Sequence, residues 1–197
     1  MTRIIAGRAK GLRLAAPKGD ATRPTTDRVR EALFSALVTW FGGADRDPTE
    51  QFDGVAVLDL YAGTGAVGLE AASRGAAPVV LVDHRTGPVI RENAARAGLA
   101  VDVRAAKVDA ILDGPGGPWD LVFVDPPYDL SGAAVDRVLQ RLAEPGVMAA
   151  QGLVVVERSA RSAGPAWPAA FTDTWERGYG ETTLHFGATD PGDQEGA

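Results

Sequence analysis

Apolar residues fall in short, nearly continuous runs, separated by longer stretches in which they recur every three or four positions. Val55-Ala56-Val57-Leu58-Asp59-Leu60, Val79-Val80-Leu81-Val82, Leu121-Val122-Phe123-Val124 and Leu153 to Val156 are rich in β-branched residues. Such runs predict strands buried on both faces of a parallel sheet, and Val101 to Arg104 predicts a further, shorter one. The intervening segments predict helices. One starts at Thr26 or Asp27 as N-cap, buries a stripe of Val29, Ala32, Leu33, Ala36, Leu37 and Trp40, and ends at Gly42-Gly43. Others run from Leu69 to Ser73 with Gly75 as stop, and from Thr86 to Ala97 with Pro88 in the first turn and Gly98 as stop. Val108 to Leu112 predicts a short helical turn, and Val135, Val138, Leu139 and Leu142 mark a last helix. Phe171 to Glu176 and Thr182 to Phe186, joined through Gly178-Tyr179-Gly180, predict a terminal hairpin. From Gly187 onward the chain is small and acidic and is expected to be disordered. Strands alternating with helices define the α/β class, and there is no internal repeat.

Two strand ends carry chemistry. Asp125-Pro126-Pro127-Tyr128 follows the run ending at Val124, and two prolines cannot continue a central strand. The chain must leave the sheet there, at the carboxyl edge where open α/β sheets bind ligands. A carboxylate, a rigid backbone carbonyl and an aromatic ring together suit a planar base held by its exocyclic amine; the plainer reading is a proline-rich turn. Val55 to Leu60 leads into Tyr61-Ala62-Gly63-Thr64-Gly65-Ala66-Val67-Gly68 and then a helix, the order of a nucleotide-binding turn. Gly63 and Gly65 permit a tight turn and close backbone approach, and Gly68 permits helix and strand to pack closely. A dinucleotide dehydrogenase would share that pattern, but Asp59 would repel a pyrophosphate. Its carboxylate suits a cationic amine or a backbone N–H. Asp83, ending the next strand, suits a bidentate contact to ribose hydroxyls. Two such acids fit an amino acid joined to adenosine, which describes S-adenosylmethionine.

Size and charge narrow the field. The 197 residues suffice for one α/β domain, with 45% hydrophobic and 23% charged residues as in ordinary globular chains. No apolar run approaches membrane-spanning length, and no signal-peptide core is present. Absence of Cys excludes disulfides and thiolate zinc sites and fits a cytoplasmic location. With His84 and His185 isolated, no metal site or His-based triad is expected. Net charge is −6, yet residues 1–30 hold eight cations (Arg3, Arg8, Lys10, Arg13, Lys18, Arg23, Arg28, Arg30) against Asp20 and Asp27. That arm is +6 and the remainder −12, so the arm suits a polyanion and the body does not. A solvated basic tail is the plainer alternative. Its glycines favour a hairpin or flexible arm. Trp40, Trp119, Trp167 and Trp175 are expected to pack rather than stack on bases.

The motifs converge on a family. Asp59-Leu60-Tyr61-Ala62-Gly63-Thr64-Gly65 resembles the S-adenosylmethionine motif of class I methyltransferases, and Asp125 to Tyr128 resembles their amino-methylating signature. Arg3-Ile4-Ile5-Ala6-Gly7-Arg8, Arg23 to Phe34, Gly68 to Ala76 and Tyr179-Gly180-Glu181-Thr182 are similar to segments of the RsmD family, which methylates a guanine N2 amine in small-subunit ribosomal RNA. The resemblance implies a Rossmann-like, mostly parallel seven-stranded sheet whose C-terminal hairpin gives one antiparallel pairing. It implies a basic RNA-binding arm at 1–22, a methyltransferase domain at 23–187 and an acidic tail at 188–197. Catalytic residues would be Asp125, Pro126, Pro127 and Tyr128, the tyrosine stacking on an unpaired or flipped base. Thr25, Thr26 and Arg28 would lie near the methionine end of the cofactor, Asp83 at its ribose. Asp59, Tyr61, Gly63, Thr64, Gly65, Gly68, His84 and Asp125 complete the implied cofactor set. Where relatives often carry Asn or Asp for the adenine, Lys107 and Val108 stand here, with Asp109 just beyond; Asp83 also replaces a frequent Glu. Arg3, Arg8, Lys10, Arg13, Lys18 and Arg23 would contact RNA. The implied partner is 16S rRNA, within an assembled or partly assembled 30S subunit, with no membrane, no metal and a monomeric chain. Rivals are a DNA adenine-N6 methyltransferase, for which no target-recognition segment is visible, and a non-catalytic RNA-binding protein.

Overall fold

A computed structural model describes residues 2–17, 26–127 and 129–190. The expectations for Lys18, Arg23, Thr25, Tyr128 and residues 191–197 lie outside the described residues. The elements in chain order are α1 (Asp27–Trp40), β1 (Val57–Leu60), α2 (Ala66–Ser73), β2 (Val79–Val82), α3 (Gly87–Ala97), β3 (Asp102–Arg104), α4 (Val108–Leu112), β4 (Trp119–Val124), α5 (Gly132–Leu142), β5 (Met148–Ser159), β6 (Phe171–Tyr179) and β7 (Thr182–Thr189). The strands form a seven-stranded sheet in the order β3-β2-β1-β4-β5-β7-β6. The chain divides into two compact units, Met1–Lys107 and Val108–Ala197.

In the first unit β1, β2 and β3 pair in parallel, Val57 opposite Val79 and Val80 opposite Asp102. Every residue of β1 and β2 is buried, as their apolar runs require, and in β1 this includes Asp59. Thr26 caps α1 by accepting from the Val29 N–H at 3.3 Å. The buried stripe of α1 is Val29, Arg30, Leu33, Phe34, Leu37 and Val38, rotated from the expected one: Ala32 and Ala36 are only half-buried, and Trp40 is exposed. Its packing partners decide that rotation. Phe34 meets the Phe52 ring edge-on at 5.8 Å, and the Arg74 guanidinium lies 4.9 Å over Phe34.

The basic N-terminal segment is a small hairpin. Arg3 bridges Arg13 in antiparallel fashion, and the Ile4 N–H donates to the Leu12 carbonyl at 2.9 Å. It is docked on α2, where the Glu70 carboxylate accepts the Ile5 and Ala6 N–H groups at 2.6 and 3.0 Å. Ser73 Oγ donates to the Ala6 carbonyl and accepts the Ala9 N–H. Buried Arg30 donates from Nη2 to the Arg3 carbonyl at 2.7 Å and to Asp27 at 2.8 Å. One of the eight counted cations is therefore a structural strut, unavailable to a polyanion.

In the second unit β4 and β5 are parallel, with Val124 opposite Val156. The C-terminal hairpin contributes two antiparallel pairings rather than one, because β7 inserts between β5 and β6 and pairs with both. Strand β5 spans twelve residues, well beyond the apolar core from Leu153 to Val156. Strand β7 also runs on to Thr189, through the position where disorder was expected to begin. Gly187 is held there because it pairs with Val154 and Thr174, and the Trp167 indole lies over it. Trp119 is buried, Trp167 packs on Phe171 and Trp175 stacks on Phe186 at 5.0 Å, while Trp40 is 38% exposed.

Candidate active site

In the first unit the candidate region is the turn from β1 into α2. Tyr61 adopts a φ of 61°, a conformation that a bulky side chain rarely accepts and that marks a constrained functional turn. Gly63 follows with a φ of 57°, and the space where its Cβ would stand is open except for the Tyr61 carbonyl at 4.0 Å. A ligand can thus approach the backbone there. Gly68 has a different part. A Cβ on it would lie 2.7 Å from Leu81 and 3.1 Å from Asp59 Oδ2, so the position joins helix to sheet. Its N–H donates to Asp59 Oδ2 at 2.8 Å.

Asp59 is 1% exposed, lying beneath the turn. Of the two partners expected for it, the backbone N–H is the one present. Burial pushes its carboxyl up to about 7, the Gly68 N–H opposes this, and the Asp83 charge adds to it. Asp83 stands at the end of β2, half-buried, and anchors both flanking turns. Its Oδ2 accepts the Gly63 N–H at 3.1 Å, and its Oδ1 accepts those of Arg85 and Thr86 at 2.8 and 3.0 Å. Three backbone N–H groups thus fix the orientation of this carboxylate.

His84 and Arg28 are exposed, and Thr26 is engaged as the α1 cap. Lys107 is exposed at the end of the first unit, whereas Val108 is buried in the first turn of α4. Arg3, Arg8, Lys10 and Arg13 all present exposed side chains on the hairpin, and Arg3 makes a loose pair with Asp27 at 3.8 Å. Among the described residues, no group of three or more His, Asp or Glu could hold a metal ion. Nor is any helix long and apolar enough to cross a membrane.

Asn93 was missed from the sequence. Fully buried on α3, it donates from Nδ2 to the carbonyls of Ala15 and Thr64 at 3.1 and 3.0 Å, and Oδ1 accepts the Ala15 N–H at 2.8 Å. One amide ties the basic hairpin segment to the glycine turn. The only hint was a polar residue between Ile90 and Ala94 on the apolar face of α3. Glu70 and Ser73, polar residues in the apolar helix α2, carried the same unused signal.

The second unit carries a candidate region of its own. Pro126 is buried and Asp125 half-buried where the chain leaves β4. They border a cleft with Glu157, Arg158 and Ser159 at the end of β5, Ser162 after it, and Thr182 at the start of β7. This wall is polar, and Arg158 also reaches toward the Leu130 carbonyl, 3.5 Å from Nη1. Pro127 is exposed.

Strand order, a glycine turn after β1 and acids ending β1 and β2 define a Rossmann-like class I S-adenosylmethionine methyltransferase fold. Comparison with known proteins specifies it further. The family model described as Conserved hypothetical protein 95 matches residues 2–188. Ribosomal RNA small subunit methyltransferase D of Escherichia coli is 35% identical over 171 residues, 85% of this chain and 79% of that protein. The chain belongs to this family, that of the RsmD methyltransferases. A putative rRNA methyltransferase of Bacillus subtilis, YlbH, is 34% identical over 64% of this chain and 66% of its own length. Among solved structures, the putative methyltransferase yhhF from Escherichia coli superposes with a TM-score of 0.79 at 29% identity, covering 96% of this chain and 98% of that one. A 16S rRNA N2 methyltransferase (RsmC) of T. thermophilus, in complex with AdoMet and guanosine, shares the fold at a TM-score of 0.62 and 20% identity, over 86% of this chain and 45% of that one.

Proposed function

We propose that this protein transfers the methyl group of S-adenosylmethionine to the exocyclic N2 amine of a guanine in the 16S rRNA of the small ribosomal subunit. The observation that carries the reading is Asp125-Pro126 at the end of β4, bordering a polar cleft, in a chain whose relatives are ribosomal RNA small subunit methyltransferases. The open face of Gly63, the strained Tyr61 and the oriented carboxylate of Asp83 suit that cofactor. Bound, it supplies an electrophilic sulfonium methyl.

A guanine amine is a poor nucleophile because its lone pair is delocalised into the ring. Asp125 and the Pro126 carbonyl accept its two N–H hydrogens, which favours a pyramidal nitrogen and aims the lone pair at the methyl carbon. Orientation supplies most of the acceleration, and the Asp125 charge stabilises the amine as it becomes cationic. The N–C bond forms as the C–S bond breaks, and the extra proton then leaves through Asp125 or water. Tyr128 supplies a ring on which a flipped or unpaired base stacks. The exposed cations of the N-terminal hairpin hold rRNA phosphates.

The test is transfer of labelled methyl to unmethylated 30S particles, to naked 16S rRNA and to duplex DNA, followed by nucleoside mass spectrometry. N2-methylguanosine from the first or second substrate is expected. Methylated adenine in DNA would establish the rival instead. Asp125→Ala should lower kcat by roughly a hundredfold or more, well beyond any loss of cofactor affinity, and normal turnover in that variant would remove Asp125 from its role.

A further inference from the structure

We propose that Glu157 selects the base, accepting the N1–H of guanine while Asp125 and Pro126 hold the N2 amine. The inference rests on the guanine-N2 reading above and adds to it a residue outside the Asp125 to Tyr128 signature. Val124 and Val156 are partners in the parallel β4–β5 register, and Asp125 and Glu157 are the residues that directly follow them in the two strands. Side chains alternate along a strand, which places Glu157 and Ser159 on one face. Ser159 pairs with Thr182 across the antiparallel β5–β7 ladder. Asp125, Glu157, Ser159 and Thr182 all border the same cleft.

Glu157 is 9% exposed, at the end of a strand that is otherwise apolar from Leu153 to Val156. A carboxylate so placed favours a hydrogen-bond donor opposite it and penalises an acceptor. On guanine the carbon bearing the N2 amine lies between N1, which carries a hydrogen, and N3, an acceptor. On adenine the carbon bearing the N6 amine has one ring nitrogen beside it, N1, and N7 lies across C5; both are acceptors, so neither edge offers the carboxylate a ring N–H. Asp125 and Pro126 recognise only an amine. Glu157 reads the neighbouring atom, and the arrangement discriminates by roughly ten- to a hundredfold.

The experiment compares 16S rRNA carrying guanine at the methylated position with the same RNA carrying 2-aminopurine there. That base keeps the N2 amine but presents N1 as an acceptor. Wild-type protein should use guanine at least tenfold better in kcat/KM. In Glu157→Gln the amide can donate to N1 of 2-aminopurine, so the ratio of the two kcat/KM values should fall at least tenfold, with cofactor affinity by calorimetry unchanged. Equal use of both bases by wild-type protein overturns the proposal without any variant. A ratio unmoved in Glu157→Gln overturns it equally. Failure of wild-type protein to form N2-methylguanosine at all would instead sink the functional reading beneath it.

Discussion

Asp59→Asn tests the electrostatics under the glycine turn. In the folded chain burial raises the Asp59 carboxyl to about 7, with Asp83 adding to the push and the Gly68 N–H opposing it. The unfolded chain returns it to the ordinary value near 3.8. A raised folded value means that the native state holds the proton more tightly, so the associated stability is complete below pH 3.8 and is lost as pH rises through 7. Between pH 6 and pH 8.5 the native carboxyl goes from about nine-tenths protonated to almost fully ionised, while the unfolded one stays ionised. Integrating that difference gives a loss of about 1–2 kcal/mol for wild-type protein. Asparagine cannot ionise, and its amide oxygen can still accept the Gly68 N–H. Urea unfolding of both proteins at pH 6, 7 and 8.5 isolates the effect, because the other titrating groups are common to both. The stability of Asp59→Asn relative to wild type should climb by about 1–2 kcal/mol across the window. A difference flat to within about 0.3 kcal/mol would show that Asp59 does not titrate there, and the account of its burial would be wrong.

Gly68→Ala should destabilise by about 1–3 kcal/mol in the same assay, since the new methyl meets fully buried Leu81, which cannot swing aside. Asn93→Ala should cost about 3 kcal/mol, one per hydrogen bond to Ala15 and Thr64, and should also weaken cofactor binding measured by calorimetry. Unchanged affinity would mean that the turn does not need its tie to the hairpin. Replacing Arg8, Lys10 and Arg13 with Ser should leave cofactor affinity untouched and lower the salt dependence of RNA binding, log Kd against log salt, by about 2–3 units of slope. An unaltered slope would remove the hairpin from the RNA interface.

Much of this architecture could be read from residue order alone. Apolar runs at 57–60, interrupted only by Asp59, and at 79–82 and 121–124 are satisfied by strands covered on both faces, and prolines 126 and 127 fix where one of them must end. Local rules of that kind also gave the Thr26 cap and the Gly98 stop. What pattern could not supply depends on groups distant in sequence. The α1 stripe turned toward Phe34 because Phe52 and Arg74 wait there, and Gly187 became strand because Trp167 and Val154 enclose it. Glu70 and Asn93 look like ordinary helix residues until the folded chain sets backbone groups 64 and 78 positions away against them. Hydrophobic periodicity is a nearest-neighbour property, legible in one dimension. Which buried polar group meets which orphaned N–H is decided only when the chain closes on itself.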